Sequence, residues 1–285
     1  MVRLSSISAI LRVIRPVNCS MIGLAAVIGE FIALGDLPSL REAFLGFLTA
    51  FAMMAGTMSV NDYYDIEADR INRPEKPLPS GALAPRSAIL AGLSFCTAAL
   101  VAAASINVSS LTIAILALFL MIYYNTLGKR TGFFGNIVVS ICVGLPFIFG
   151  GAAVGKVTAI LTFFSLMAFA ANLGREVTKG IIDVEGDRSR MIRTIAVAYG
   201  PQRASMLAAV IYLVSVGLSL APPILGLVGF GYLALVSISD AGFIFSSISL
   251  ARRWDRENAK RTKNYVLVWM FIGLLAFVAG SVKSP

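Results

Sequence analysis

The sequence predicts an all-α, polytopic membrane protein of about nine transmembrane helices, and three observations predict it. Hydrophobic residues make up 58% of the 285 positions and charged residues only 14%, whereas a soluble domain is nearer half apolar and a quarter charged. The apolar excess lies in long blocks, each close to the ~20 residues that a helix needs to cross a bilayer. Lys and Arg fall on alternate interblock loops, as the topology of a multispan protein requires. A spanning backbone must satisfy its own hydrogen bonds, and runs of this length lack the two-residue alternation of a barrel strand.

The first block, roughly residues 16–35, follows Arg3, Arg12 and Arg15 and has the flanks of a signal peptide. No small-residue cleavage site follows it and eight more blocks do, so it reads as the first transmembrane helix. The second, roughly 43–61, runs into an acidic segment, Asp65-Ile66-Glu67-Ala68-Asp69-Arg70, and then into Arg73-Pro74-Glu75-Lys76-Pro77-Leu78-Pro79-Ser80-Gly81. Proline at that density forbids continued helix and favours a stiff excursion, either a lid over the acids or a simple connector. The third and fourth blocks, roughly 86–105 and 109–126, end at Lys129 and Arg130. The fifth and sixth, roughly 134–154 and 158–174, lead into a second acidic segment, Asp183-Val184-Glu185-Gly186-Asp187-Arg188. The seventh and eighth are roughly 204–221 and 224–250, the latter carrying a lone acid, Asp240. Arg252, Arg253, Arg256, Lys260, Arg261 and Lys263 then read as topology determinants before the ninth block, roughly 265–282.

The net charge of +9 is therefore a matter of topology, not of nucleic-acid binding. One face of the blocks carries only Arg41, Lys156 and Lys283, which places the N-terminus and the acidic loops in the cytoplasm. Tyr63, Tyr64, Tyr123, Tyr124, Phe133, Phe134 and Trp254 fit an aromatic belt at that interface. The chain has no His, which excludes His-ligated haem or zinc and His general bases. Cys19, Cys96 and Cys142 stand singly in apolar blocks, as small fillers would.

The two acidic segments follow the second and sixth helices and so face the same side. Their likeness suggests a parallel duplication within a single domain over 1–285: a first repeat in 1–133, a second in 134–264, and a ninth helix in 265–285. Asn61, Asp65 and Asp69 recur every four residues, with Asp62 three before Asp65; Asp183 and Asp187 repeat the spacing. Carboxylates crowded at a membrane boundary repel one another and are costly to desolvate. Mg²⁺, which takes carboxylate oxygens together with substrate phosphates, resolves both problems. Arg15, Arg70, Arg73, Lys76, Lys129, Arg175 and Lys179 surround these acids. Such a set can hold a diphosphate leaving group; snorkelling anchors and helical partners of the acids are the plainer reading. A long isoprenoid explains the membrane setting, since each buried CH₂ contributes about 0.8 kcal/mol.

Asn61-Asp62-Tyr63-Tyr64-Asp65-Ile66-Glu67-Ala68-Asp69 resembles the N-D-x-x-D-x-x-x-D motif of the UbiA superfamily of intramembrane prenyltransferases, and Asp183 to Asp187 resembles its second D-x-x-x-D motif. Arg15-Pro16-Val17-Asn18 and the run from Arg70 to Gly81 are similar to the family as well; Tyr124 and Lys129 resemble its Y-x-x-x-K motif with one extra residue between them. The resemblance implies a Mg²⁺-dependent prenyltransferase in the cell membrane, its site facing the cytoplasm. Asn61, Asp62, Asp65, Asp69, Asp183 and Asp187 would be toward the metal, with Tyr124, Lys129 and the four acids of the two D-x-x-x-D pairs catalytic. Arg15, Asn18, Arg70, Arg73, Lys76, Lys129, Arg175 and Lys179 would be toward substrate. Arg175 to Asp187 looks most like the branch that joins geranylgeranyl diphosphate to geranylgeranylglyceryl phosphate in archaeal ether lipids. Lys76 stands where many of the family have Arg, and Arg193-Thr194-Ile195-Ala196 departs slightly from its pattern. The implied partners are a prenyl diphosphate donor, a lipid acceptor and membrane lipids, with no obligate protein partner. An aromatic quinone precursor such as 4-hydroxybenzoate is the alternative acceptor. A transporter is the alternative class, disfavoured because the acids cluster at one face and not at the midplane.

Overall fold

Proline, glycine and a few polar caps cut the apolar sequence into helices. The computed structural model describes residues 6–189 and 191–281; Arg3, Lys283 and the last residue of the ninth predicted block lie outside the described residues. Among the described residues every regular element is helical: α1 (Ser6–Ile14), α2 (Pro16–Leu34), α3 (Leu40–Tyr64), α4 (Ile66–Asn72), α5 (Pro85–Ala104), α6 (Val108–Thr126), α7 (Phe133–Ala153), α8 (Ala159–Ile182), α9 (Val184–Ser189), α10 (Ile195–Tyr199), α11 (Pro201–Ser219), α12 (Ala221–Ile224), α13 (Phe230–Arg252) and α14 (Arg256–Ser281), with a 3₁₀ turn at Gly128–Thr131. Nine of these, with α12 continuing α11, are long and apolar enough to cross a membrane. The protein is a multi-pass membrane protein.

Pro16 and Pro85 occupy first turns, where a missing N–H costs nothing. Ser39 and Glu42 form a reciprocal capping box at the start of α3. Asn107 caps α6 by accepting from Ser110 N–H at 2.8 Å, while its Nδ2 donates to the Ala152 and Ala153 carbonyls of α7, each at 3.0 Å. Where α2 crosses α7, a Cβ at Gly150 would collide with the Ala26 carbonyl and one at Gly29 would sit 2.7 Å from the Phe147 carbonyl. Small residues thus permit the backbone approach that drives helix association in lipid.

Two apolar clusters organise the second half of the bundle. One, at the end remote from the acidic motifs, gathers Phe147, Leu161, Phe164, Tyr232 and Phe277, with the Phe164 and Phe277 rings stacked at 3.7 Å. The other, at the motif end, packs Val177 and Ile181 of α8 against Tyr212, Leu250, Ala259 and Val266. Three boundaries differ most from the sequence expectation. The eighth spanning helix begins at Phe230 and not near residue 224, because a turn at Gly226 follows α12; the sixth runs on to Ile182, and the ninth begins at Arg256, not near residue 265. Apolar counting stops at the first cluster of charges, whereas the helix does not. Long basic side chains reach the interface while the backbone continues, and each added residue extends the helix by about 1.5 Å.

Candidate active site

The first acidic motif lies on a hinge. α3 ends at Tyr64, Asp65 has φ −93° and ψ 1°, and α4 follows. The Asp65 N–H still reaches the Asn61 carbonyl at 3.0 Å and the Asp69 N–H reaches the Asp65 carbonyl at 2.8 Å, so the four-residue succession survives the hinge. Three separate segments bring cations to these acids. Arg15 Nη2 donates to Asp62 Oδ1 at 2.9 Å. Lys76 Nζ donates to Asp69 Oδ2 at 2.6 Å and lies 3.3 Å from Asp62 Oδ1. Lys129 Nζ donates to Asp65 Oδ2 at 2.7 Å, and Asn61 Nδ2 to the same oxygen at 3.0 Å.

Local structure explains how each cation arrives. Arg15 sits at the joint of α1 and α2 with φ 55°, a left-handed conformation that costs a non-glycine residue roughly 1–2 kcal/mol. Lys129 is presented by the 3₁₀ turn, which Gly132 closes at φ 62°; a Cβ there would collide with the Arg193 carbonyl. The proline-rich segment is ordered and docked: Leu78 and Leu83 are buried with Ala9, Val13 and Ala88, and Arg12 Nη2 donates to the Glu75 carbonyl at 3.3 Å. This docking holds Lys76 over the acids. Arg70 is not brought to the cluster; it pairs with Glu67 at 2.9 Å on the surface.

The second motif repeats the local backbone. Asp183 follows α8 with φ −101° and ψ 12°, its N–H bonds the Lys179 carbonyl at 3.1 Å, and the Asp187 N–H bonds the Asp183 carbonyl at 2.8 Å. Its side-chain pairing differs. Asp183 is exposed, and the nearby cations engage Glu176 instead, Lys179 Nζ at 2.8 Å and Arg175 Nη1 at 3.4 Å. Arg175 Nε is buried with no hydrogen-bond acceptor. Tyr124 lies between the motifs: Glu176, Asp65 and Asp187 are the charges acting on its hydroxyl, and Lys129 Nζ is 5.7 Å from its ring centroid. Glu176, buried on α8 within the run Arg175 to Asp187, is a site acid that the D-x-x-x-D spacing does not single out.

Below the polar end lies a cavity of about 180 Å³ lined by Asn18, Met21, Phe147, Asn172, Arg175 and Asp240 among mostly apolar neighbours. Asn18 and Arg175 join it to the charged cluster. Asp240 accepts from Ser219 Oγ at 2.6 Å, and Tyr232 donates to the Ser219 carbonyl at 2.9 Å, so this lone acid both pairs with a polar group and lines the cavity. A second cavity of about 110 Å³, walled by Met53, Met121 and Cys142, adjoins the first along Ile22, Met54 and Val143.

Among the described residues no group of three or more His, Cys, Asp or Glu side chains stands gathered as a metal centre. The donor chemistry nevertheless fits Mg²⁺. Asn61, Asp62, Asp65, Asp69, Asp183 and Asp187 offer oxygen only, and the chain has no His to favour a softer ion. Each acid of the first motif is paired with a cation: Asp62 with Arg15 and Lys76, Asp69 with Lys76, and Asp65 with Lys129. Such a set suits an ion that takes only one or two carboxylates and completes its shell with phosphate oxygens and water.

With this geometry in view, the likeness to known proteins is specific. Residues 22–275 match the profile of the UbiA prenyltransferase family. A digeranylgeranylglyceryl phosphate synthase of Thermococcus kodakarensis is 36% identical over 274 residues, covering 96% of this chain and 98% of that one. A solved structure concerned with digeranylgeranylglyceryl phosphate synthase in membranes superposes with a TM-score of 0.81 at 30% identity, covering 99% of this chain and 100% of that one. A UbiA homologue of Archaeoglobus fulgidus, solved with DMAPP and Mg²⁺, shares the fold at a TM-score of 0.68 and 21% identity, covering 94% and 99%.

Proposed function

Since the chain belongs to the UbiA prenyltransferase family and is a prenyltransferase, we propose that it transfers a geranylgeranyl group from geranylgeranyl diphosphate to the free hydroxyl of geranylgeranylglyceryl phosphate. The products are an ether lipid and diphosphate. One observation carries the reading: an apolar cavity embedded among the helices reaches Asn18, one turn after Arg15, and Arg175, at the end of the bundle where Arg15, Lys76 and Lys129 pair with the carboxylates of the first motif. The full-length likeness to named synthases of this ether lipid supports the choice of acceptor.

Mg²⁺, held by Asp62, Asp65, Asp69, Asp183 and Asp187 with Asn61 beside them, would supply positive charge to the departing diphosphate. Arg15, Lys76 and Lys129 turn from their acids toward the diphosphate oxygens and stabilise the charge that develops there. The donor C1–O bond breaks with its electron pair leaving on the diphosphate, and the allylic cation is stabilised by delocalisation. The acceptor hydroxyl oxygen attacks C1, the new C–O bond forms, and the hydroxyl proton passes to the released diphosphate. Tyr124, set between the motifs, positions the reacting carbon and shields it from water. Arg175 and Lys179, on the second motif's helix, face the acceptor's own phosphate.

The same reading places the enzyme in the cell membrane with the motif end in the cytoplasm, as two four-helix repeats and a ninth helix. The matching hinges at Asp65 and Asp183, each followed by a short helix, support the duplication. Purified protein given labelled geranylgeranyl diphosphate and a panel of acceptors should form the phosphate-bearing diether. Ready prenylation of 4-hydroxybenzoate with no turnover of the glyceryl phosphate ether would overturn the assignment. A cysteine placed at position 75 should label from the cytoplasmic side only.

A further inference from the structure

The basic run before the ninth spanning helix contains one residue that does not behave as a topology anchor. Ala259 and Val266 of α14 are buried in the cluster that holds Val177 and Ile181 of α8, and Thr262 is buried beside them. Lys263 follows Ala259 by four residues and precedes Val266 by three, so it shares the face turned to α8. Leu267, one turn further, lines the same cavity as Arg175. Lys263 is half-buried, whereas its neighbours Lys260 and Arg261 are exposed and Arg261 pairs with Glu257. An anchor that served topology alone would carry its ammonium outward along the helix to water.

The charges around Lys263 come from separate segments: Arg175 and Lys179 of α8, Arg73 from the start of the proline-rich segment, and Asp183. Neither Lys263 nor Arg73 forms an ion pair among the described residues. Arg175 Nε is a buried donor with no acceptor. Arg73, Arg175, Lys179 and Lys263 are thus gathered at one helix end, with Glu176 and Asp183 among the acids there. Like charges gathered at a half-buried helix end repel one another, and the buried Arg175 Nε lacks an acceptor. A phosphate monoester, with about −1.5 to −2 charge and three acceptor oxygens, answers both.

We propose that Lys263, with Arg73 and Arg175, forms a second anion subsite that binds the phosphate monoester of the lipid acceptor, apart from the Arg15, Lys76 and Lys129 group that receives the donor diphosphate. Those three cations each touch an acid of the first motif, while Lys263 lies on the last helix beside the second. Two separated subsites let donor and acceptor bind together with the acceptor glycerol between them. The inference rests on the acceptor reading above, and its test separates the two.

Steady-state kinetics on the full-length protein in a zwitterionic detergent, free of anionic lipid, gives that test. Lys263→Gln should raise the KM for geranylgeranylglyceryl phosphate about tenfold or more, with kcat and the donor KM within about twofold. Lys263→Arg should recover most of that loss. With geranylgeranylglycerol, which lacks the phosphate, wild type and Lys263→Gln should coincide. Inorganic phosphate should inhibit the wild type in competition with the acceptor and not the donor, and Lys263→Gln should weaken that inhibition. An unchanged acceptor KM in Lys263→Gln, a rise confined to the donor KM, or an equal loss with the phosphate-free acceptor overturns the subsite while leaving the acceptor reading intact. A wild-type enzyme that turns over no phosphate-bearing acceptor overturns both.

Discussion

The two acidic motifs share a spacing, a hinge and a short following helix, yet their electrostatics differ. Around Asp62, Asp65 and Asp69, cations arrive from the α1–α2 joint, the proline-rich segment and the 3₁₀ turn, and each closes on a motif carboxylate. Beside Asp183, two cations of its own helix engage Glu176, which is 8% exposed, and Asp183 faces solvent. The first motif is pre-neutralised by long-range contacts; in the second Asp183 is exposed and the neighbouring cations sit on Glu176, two turns back along the helix. Equal sequence spacing thus fixes where carboxylates stand on a helix but not which charge meets them, because the partners are supplied by tertiary structure. The difference suits two tasks: one motif guarding a diphosphate pocket, the other leaving cations available to a second anion.

The largest expected effect tests whether both motifs serve one reaction despite this contrast. Asp65→Ala and Asp183→Ala should each lower turnover on the order of a thousandfold, the scale seen when a principal electrostatic group is removed from a reaction centre. Stability should separate them. Asp65→Ala strips the acceptor from Lys129 and Asn61 and should cost about 1–3 kcal/mol, whereas Asp183→Ala, on an exposed side chain, should stay within about 0.5 kcal/mol. Near-normal Mg²⁺-dependent rates in Asp183→Ala would break the pairing of the motifs; equal losses of thermal stability would break the contrast between them.

A smaller effect sharpens the contrast further. Lys76 serves both Asp62, whose side chain is 4% exposed, and Asp69, at 11%. Lys76→Met should lower stability by about 2–4 kcal/mol, approaching the cost of breaking a buried ion pair. Added Mg²⁺ should restore more of the melting temperature in this variant than in the wild type, since the ion replaces the missing charge. At the second motif, Lys179→Met leaves Arg175 on Glu176 and should cost about 1 kcal/mol, in line with a partly exposed pair. A Mg²⁺ response no greater in Lys76→Met than in wild type would mean that the caged carboxylates do not meet the ion.

Much of this was legible in the sequence. Nine spanning helices follow from apolar block length and the two motifs from helical spacing; of the seven basic residues expected around the acids, the structure brings Arg15, Lys76 and Lys129 to the first motif. The parts that were not legible share one cause. Glu176 and Lys263 look in sequence like members of ordinary charge runs; Glu176 lies on the buried face of α8, and the packing of α14 on α8 turns Lys263 inward. The ninth helix begins nine residues ahead of its apolar block for the same reason, as a charged stretch gives no periodic signal of its own. Glu30, fully buried with neither oxygen hydrogen-bonded, interrupts an apolar block without disturbing the count that identifies it, and nothing in the structure explains it.

Arg70 makes the smallest and most discriminating case. By sequence it belongs with Arg73 and Lys76, immediately after the first motif and toward substrate. In the structure α4 turns it outward, where its pair with Glu67 has side chains 60% and 84% exposed. A pair that open to solvent contributes about 0.2–1 kcal/mol at most and is screened by salt. Arg70→Ala should therefore leave both substrate KM values and kcat within about twofold, and the melting temperature within a degree or two. Its neighbour Arg73, without an ion pair among the described residues and among the charges that act on Lys263, should behave differently: Arg73→Ala should raise the acceptor KM severalfold. The two arginines are three residues apart and chemically identical, so a divergence between them reflects placement: Arg70 on α4 and Arg73 at its end, where the proline-rich segment begins. If Arg70→Ala instead proves the more damaging for the donor KM, α4 must rotate on substrate binding, and the first motif would be a moving part and not a fixed cage.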